Sequence, residues 1–199
     1  MTENLMPPLA PPGAGLPLVE LQIARMLFAL RRWTHGRDAV NTDFSRERNR
    51  IGELVRACPE DARGQRVLIR RPPGLEDSSR HWSIWMTLDH LRIVHRGFIR
   101  IIGALTEGLM PEGVASTAAV KPDPRVGAAV EEAYERSCDD LLVAVRKPGT
   151  LRTALRFAHP WFGPLDAAGW HTLSAGHMRI HRVQMERIRD GLQGSRVGV

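Results

Sequence analysis

Apolar residues recur at three- and four-residue spacing along most of the chain, which is the pattern of amphipathic helices. The longest runs predict helices over about 18–35, 80–105, 125–146 and 167–192. A further helical run starts near Asp43. The sequence shows no series of strands with alternating apolar and polar positions, so the pattern predicts an all-α protein.

Turn and cap residues place the ends of these helices. Gly36 is expected to end the first helix, Ser78 and Ser79 offer caps to the helix near 80, and Asp166 is expected to cap the last one. Residues 67–69 (Val-Leu-Ile) are too short to predict more than an isolated extended piece. Four long amphipathic helices joined by Pro- and Gly-containing loops predict a four-helix bundle.

Composition divides the chain into three parts. Residues 1–16 are rich in Pro and Gly and predict an N-terminal arm, residues 17–192 predict the bundle, and residues 193–199 predict a C-terminal tail. The N-terminal residues show no pattern of a targeting signal, and no run approaches the roughly 20 apolar residues of a membrane span. We therefore expect a cytoplasmic protein.

Composition and charge exclude several classes of protein. With 43% hydrophobic and 25% charged residues among 199, the sequence is that of neither a disordered chain nor a disulfide scaffold. The formal net charge is +6, and only Lys121 and Lys147 among the 28 basic residues are lysines. The arginines are interleaved with acidic residues, which favours a solvated surface over a nucleic-acid-binding face. Cys58 and Cys138 form no C-x-x-C motif and are expected to be buried thiols.

Helical spacing decides which of the eight histidines can cooperate. His177 and His181 lie four residues apart in the last predicted helix, on the side that also carries Leu173 and Ile188. His90 lies on the apolar side of the helix near 80–105. Two imidazoles one turn apart and a third from another helix are a suitable donor set for one metal ion. Each of them could equally be an ordinary core or rim histidine.

The other histidines are expected to lie apart from this set. His95 lies about 140° from His90 around the helix, and His171 about 120° from His177, so both are expected at the surface or at a cap. His159, in the link before the last helix, is a further candidate for a ligand or an orienting group. Of the remaining two histidines, His35 is expected at a helix end, and His81 is expected at the surface or at a cap.

Polar neighbours of the three histidines are candidates for orienting their rings. Gln184, in the last helix, is the best placed of them. Asp89 is next to His90 in sequence but points about 100° away. Glu76 and Asp77 are expected to be caps or solvent-facing charges. The tryptophans are expected to belong to the core, or else to line a substrate pocket: Trp82, Trp85, Trp161 and Trp170.

Three segments resemble, in order and spacing, signatures of the DinB-like family. The second helix of that family carries a Trp-Ser…His-Leu signature, which is similar to WSIWMTLDHL at residues 82–91. Its last-helix signature is similar to Gly169-Trp170 followed by HMRIH at residues 177–181. The link HPWFGPL at residues 159–165 resembles the segment that precedes this helix in many members.

The resemblance implies a four-helix bundle with one divalent metal on His90, His177 and His181. Members of the family include thiol-dependent S-transferases and isomerases, which use low-molecular-weight thiols, and metal-dependent hydrolases. Several members are homodimers. The resemblance therefore implies a small electrophilic substrate, a low-molecular-weight thiol and a second copy of the chain as partners. The segment at about 36–75, between the first two bundle helices, is longer than in the compact members.

The donor set limits both the metal and its chemistry. Three neutral imidazoles suit zinc, nickel, iron or copper better than magnesium or calcium, and we expect zinc or nickel, and also iron, as the metal. Three protein ligands leave a position for water or a substrate thiolate, as in a catalytic site. The sequence lacks the Glu-x-x-His pairs of a di-iron bundle. The alternative from another class is a non-catalytic binding or assembly protein that a metal stabilises.

Overall fold

The structure, a computed structural model, describes residues 8–197 of the chain, so residues 1–7 of the expected arm and 198–199 of the expected tail lie outside it. Five α-helices lie within the described residues: α1 (Leu18–Thr34), α2 (Arg37–Ala57), α3 (Ile84–Thr106), α4 (Val130–Arg146) and α5 (Ala167–Val197). Short strands pair antiparallel in the connections: β1 (Val67–Leu68) with β2 (His81–Trp82), and β3 (Phe157–His159) with β4 (Gly163–Leu165).

Helices α2 to α5 form a four-helix bundle, which confirms the predicted fold class. Helix α3 packs against both α4 and α5, and α5 also packs against α2. The inner faces of the four helices share one apolar core, whose members include Phe44, Ile51, Leu88, Ile102 and Ile188. No helix in the part of the chain that the structure describes is both long and apolar enough to span a membrane.

The first helix of the bundle is α2, and α1 lies outside the bundle against α5. Helix α1 ends just before Gly36, as expected, with His35 as its C-cap. Gly36 is the N-cap of α2, which therefore begins before Asp43. Asp43, near which the sequence predicts the start of this helix, lies inside α2 and forms an ion pair with Arg31 of α1. Residues 36–75, expected to connect the first two bundle helices, thus contain a bundle helix. The connection between the first two bundle helices, α2 and α3, is instead residues 58–83.

Helix α3 begins later than predicted because the residues before it pair as a strand. β2 runs antiparallel to β1, which keeps its backbone extended and out of the helix. Ser83 is the cap, since its hydroxyl accepts a hydrogen bond from the N–H of Met86 at 3.1 Å. Ser78 and Ser79, which were the expected caps, lie in the turn before β2.

Helix α5 begins where the sequence predicts. The Oδ1 of Asp166 accepts a hydrogen bond from the N–H of Gly169 at 2.8 Å, which confirms the predicted cap. The helix continues to Val197, beyond the expected end near 192. It is therefore long enough to contact α1, α2 and α3 along its length.

Candidate metal centre

The bundle brings His90 of α3 together with His177 and His181 of α5. Four residues separate the two α5 histidines, so their rings lie on one face with centroids 4.4 Å apart. The Nε2 of His177 lies 3.1 Å from the Nε2 of His90 and 3.2 Å from the Nε2 of His181. Two nitrogens bonded to one zinc ion at about 2.0–2.1 Å and a tetrahedral angle lie roughly 3.3 Å apart. The three nitrogens could therefore hold one metal ion.

The outer nitrogens of two of these rings are fixed by oxygen acceptors. The Nδ1 of His90 lies 2.6 Å from the carbonyl oxygen of Val120, and the Nδ1 of His181 lies 2.7 Å from the Oε1 of Gln184. The amide nitrogen of Gln184 donates to the carbonyl oxygen of Ser79 at 2.7 Å, which sets the orientation of the amide. Because both oxygens only accept, each Nδ1 carries the hydrogen and each Nε2 presents a lone pair.

His177 lies between these two lone pairs and cannot satisfy both. A neutral imidazole has one N–H, so the Nε2 of His177 can donate to His90 or to His181 but not to both. The Nδ1 of His177 is also buried and has no hydrogen-bond partner among the described residues. Unsatisfied nitrogens of this kind are costly inside a protein. A cation between the three Nε2 atoms satisfies all three of them at once, although it leaves the Nδ1 of His177 without a partner among the described residues.

Burial keeps the three imidazoles neutral, which is the form that binds metals. Burial lowers the pKa of His90 to about 4, with nearby Lys121 acting in the same direction and the hydrogen bond to Val120 opposing it. The pKa of His177 and that of His181 lie well below the ordinary value, first because of burial and then because the neighbouring histidines repel a second charge. At neutral pH all three rings therefore offer lone pairs.

Aromatic side chains surround the cluster. The ring of Trp82 is stacked on that of His181 with centroids 6.1 Å apart, and the ring of Phe98 meets His177 edge-on at 6.2 Å. His90 and His181 are buried, whereas His177 is half-buried, so the cluster is most accessible on the side of His177. Four tryptophans were expected in the core. Trp82 and Trp170 are buried, whereas Trp85 and Trp161 are half-buried.

Two histidines expected at the surface are buried. His95 is fully buried, and its Nδ1 lies 3.0 Å from the hydroxyl of Ser137 on α4. His171 is almost fully buried, and its Nε2 lies 3.0 Å from the Oδ1 of Asn41 on α2. The prediction was wrong because α3 and α5 each pack against more than one helix, so they bury more than one face. Two further histidines are half-buried: His35 lies at the C-cap of α1, and His81 lies in β2.

His159 is not part of the three-histidine cluster. It ends β3, where its Nδ1 accepts a hydrogen bond from the N–H of Trp161 at 3.1 Å. Its ring packs against that of Trp170 with centroids 5.3 Å apart. Burial lowers the pKa of His159 to about 4, so the ring is a neutral part of the aromatic wall.

The polar neighbours of the cluster differ in part from the prediction. Gln184 contacts His181 as expected, and Asp89 turns away from His90 to pair with Arg92. Glu76, expected at the surface or as a cap, is buried. Its carboxylate lies 2.8 Å from the ammonium group of Lys121. Asp77 accepts a hydrogen bond from the backbone N–H of residue 10 at 2.8 Å and forms an ion pair with Arg80.

Two contacts of the site could not be seen in the sequence. The carbonyl oxygen of Val120 contacts His90, and a backbone oxygen carries no residue-type signal. Lys121, one of only two lysines, places its Nζ 5.5 Å from the ring centroid of Trp82. The rarity of lysine in this chain was the one available hint.

Both cysteines, Cys58 and Cys138, are buried and form no disulfide, in agreement with the sequence prediction of buried thiols. The Sγ of Cys138 lies 3.9 Å from the Nδ1 of His95, away from the three-histidine cluster. Burial raises the pKa of Cys138 to about 12, so its thiol stays protonated at neutral pH and is a poor nucleophile.

A surface cavity of about 210 Å³ lies elsewhere, where α1 meets α2. Its walls include Arg32, Arg37, Arg152 and His171, and none of the three clustered histidines. The cavity therefore does not open onto the candidate metal centre.

Comparison with solved structures supports the fold. The crystal structure of TT2238, described as a four-helix bundle protein, superposes on this chain with a TM-score of 0.55 and 19% sequence identity. The match covers 75% of this chain and 97% of the other. No protein-family model and no curated protein matches the sequence. At this level of identity the likeness shows the bundle fold alone.

Proposed function

We propose that the chain is a DinB-like metalloprotein in which His90, His177 and His181 hold one divalent metal ion. The observation that carries the proposal is the set of three converging Nε2 atoms, two of which face the third as lone pairs within 3.2 Å. Neutral rings in this arrangement have no complete hydrogen-bonding solution, and one cation satisfies all three. The ligands lie on the second and fourth bundle helices, in agreement with the three sequence segments that resemble the DinB-like family.

Zinc or nickel, and also iron, are the metals that fit this site. Imidazole nitrogen suits these ions better than it suits magnesium or calcium. The cluster contains no carboxylate or thiolate from the described residues, so the ligands leave the positive charge of the ion intact. When bound, such an ion supplies Lewis acidity and lowers the pKa of a water or thiol that it holds.

The activity that we infer is that of a metal-dependent enzyme acting on a small electrophile: a thiol-dependent S-transferase or isomerase, or a hydrolase. Three protein ligands leave a position for the reacting group. Val120 and Gln184 hold two of the ligand rings in the required tautomer, while Trp82 and Phe98 exclude water on two sides. A small substrate and a low-molecular-weight thiol approach from the side of His177, which is the more accessible one.

We expect zinc- or nickel-loaded protein to accelerate the reaction of a low-molecular-weight thiol with a chromogenic aryl halide, or the hydrolysis of a chromogenic ester. Chelator should abolish the rate, and the same metal should restore it, because the reacting group shares the ion. The measurement is absorbance against time at a fixed thiol concentration. A rate that persists in chelator, or that is matched by the His177→Ala protein treated with the same metal, contradicts the enzyme proposal.

A second candidate function is a binding or assembly protein that a metal stabilises. The close enclosure of the cluster by aromatic rings favours it, because only His177 is partly exposed. In that case bound metal raises the melting temperature, while no thiol or ester substrate reacts. The assay above and a melting curve on the same sample separate the two functions.

Replacing Gln184 by leucine should weaken metal binding by about 10- to 100-fold, since losing a group that orients a ligand has effects of this size. The substitution removes the oxygen that fixes the hydrogen of His181 on Nδ1. Competition with a chromogenic chelator measures the affinity. Gln193→Leu, at an exposed position of the same helix, is the matched control and should bind as wild type. Equal affinities for the two variants would show that Gln184 does not orient the ligand.

A further inference from the structure

The surface cavity of about 210 Å³ where α1 meets α2 has basic walls. Four parts of the chain converge on it: the end of α1, the start of α2, residues 149–152 between α4 and α5, and the first two turns of α5. Arginine, histidine and threonine side chains line it, and no aspartate or glutamate is among the described residues of its walls. Such a cavity is suited to a negatively charged ligand.

Two of the three arginines in the walls have no carboxylate partner. Arg32 is already paired with the buried Asp166 at 2.8 Å, so its charge is cancelled. Arg37 donates a hydrogen bond to the carbonyl oxygen of Gly149 at 3.2 Å, which is a neutral acceptor. Neither Arg37 nor Arg152 forms an ion pair with a residue in the part of the chain that the structure describes. Two uncompensated guanidinium groups, each with several N–H donors in a fixed plane, therefore remain for a ligand.

The start of α2 adds backbone donors to the same cavity. Gly36 is the N-cap of this helix and has no side chain with which to cap it. The N–H groups of residues 37–39 make no hydrogen bond to another described residue. Asp38, the acidic residue of this turn, is exposed and is not one of the walls. The positive end of the helix therefore adds to the attraction that the two arginines exert on an anion.

The size and the remaining walls of the cavity limit what it can hold. Pockets that enclose a whole drug-sized ligand measure roughly 300–1,000 Å³, so this smaller cavity fits one charged group. Burial, followed by the charge on Arg37, lowers the pKa of the wall residue His171 to about 4, so this ring is neutral at neutral pH. Val40 and Leu151 are buried apolar walls, and a low local dielectric strengthens charge-assisted hydrogen bonds.

We propose that this cavity binds a phosphate group, either as free phosphate or as the monoester of a small molecule, through Arg37, Arg152 and the N–H groups that begin α2. A phosphate monoester carries a charge of about −1.5 to −2 at pH 7, which matches two guanidinium groups. A single carboxylate carries one negative charge and leaves one of the two arginines unmatched. Arginine also binds phosphate oxygens in pairs, because its N–H groups have the matching spacing.

Titration calorimetry with inorganic phosphate on the full chain at low ionic strength tests the proposal, since salt screens such binding. Wild type should bind one equivalent. Arg37→Gln and Arg152→Gln should each raise the dissociation constant by about 10-fold or more, as the loss of a charge-assisted hydrogen bond does. Arg156→Gln removes the same charge at an exposed position of the same connection, outside the walls, and should bind as wild type.

A second titration, with phenyl phosphate, distinguishes the two sources of the group. Tighter binding than that of inorganic phosphate identifies a monoester of a small molecule as the ligand, and equal or weaker binding identifies free phosphate. His177→Ala should bind both probes as wild type does, which separates this cavity from any metal on the three histidines.

Three results would overturn the phosphate site. The first is a wild type that shows no saturable binding of either probe. The second is a pair of variants, Arg37→Gln and Arg152→Gln, that bind as wild type, or an Arg156→Gln control that loses as much affinity as they do. The third is a loss of phosphate binding in His177→Ala, which would place the anion on the metal instead.

Discussion

The His177→Ala protein should bind zinc or nickel more than about 100-fold more weakly than wild type, because removing a ligand has a larger effect than removing a group that orients one. The substitution leaves one imidazole on α3 and one on α5, and His177 is the ring that lies within 3.2 Å of both others. Metal analysis after dialysis, followed by titration of the stripped protein, measures the effect.

His35→Ala is the matched control for this experiment. His35 is half-buried at the end of α1, where its ring contacts the hydroxyl of Thr34, and it is not part of the cluster. Its replacement should leave metal content unchanged. His95 is unsuitable as a control, because it is fully buried in the core and its loss leaves a cavity.

Thermal stability should show the same contrast. A metal that binds only the folded chain stabilises it by about 2.7 kcal/mol when its concentration is 100 times the dissociation constant. Wild type should therefore melt lower in chelator, while His177→Ala should change little. If His177→Ala keeps a full equivalent of metal, the three-histidine site is wrong. If wild type binds neither zinc nor nickel on titration, the proposed enzyme activity fails with it.

Replacing Lys121 by methionine should lower the free energy of unfolding by about 3 kcal/mol, because the buried carboxylate of Glu76 then loses its counter-charge. The Nζ of Lys121 lies 2.8 Å from Glu76, which also accepts a hydrogen bond from Thr117 at 2.8 Å. Urea unfolding measures the change. The double variant Glu76→Gln, Lys121→Met should recover part of the loss, since it removes the unpaired charge.

The same substitution should show a defined pH dependence. Burial acts to raise the pKa of Glu76, but the hydrogen bonds from Lys121 and Thr117 outweigh it, so the pKa lies below the ordinary value. A carboxyl with a lowered pKa stabilises the folded chain at pH values above its unfolded pKa, and this is lost as the pH falls through the folded value. The difference between wild type and Lys121→Met should therefore shrink in acid. A constant difference would contradict the ion-pair explanation.

The three clustered histidines could be predicted from the sequence because each lies on the apolar side of a long helix. The i, i+4 spacing of His177 and His181 and the phase of His90 were sufficient to expect that they face the interior. The same reasoning was wrong for His95 and His171. Phase arguments assume a single buried face, and α3 and α5 each pack against several helices.

The position of α1 could not be predicted for a related reason. Its apolar residues have the spacing of a core helix, and periodicity shows that a face is apolar without showing what covers it. Gly36 was also ambiguous, because an extended glycine between two helices ends one and caps the next. The late start of α3 followed from the pairing of β1 with β2, which depends on residues far apart in sequence.

The separation of His90 and His177 by 87 residues has a kinetic consequence. An ion bound between them as proposed would act as a reversible cross-link that closes a loop of 87 residues, and closing such a loop has an entropic cost for the unfolded chain. Because the three nitrogens lie on two different helices, we expect them to converge only when α3 and α5 are packed together. A metal bound as proposed should then slow unfolding more than it speeds folding. With the metal bound as proposed, we expect the lifetime of the folded chain against proteolysis to depend on how much metal its surroundings supply.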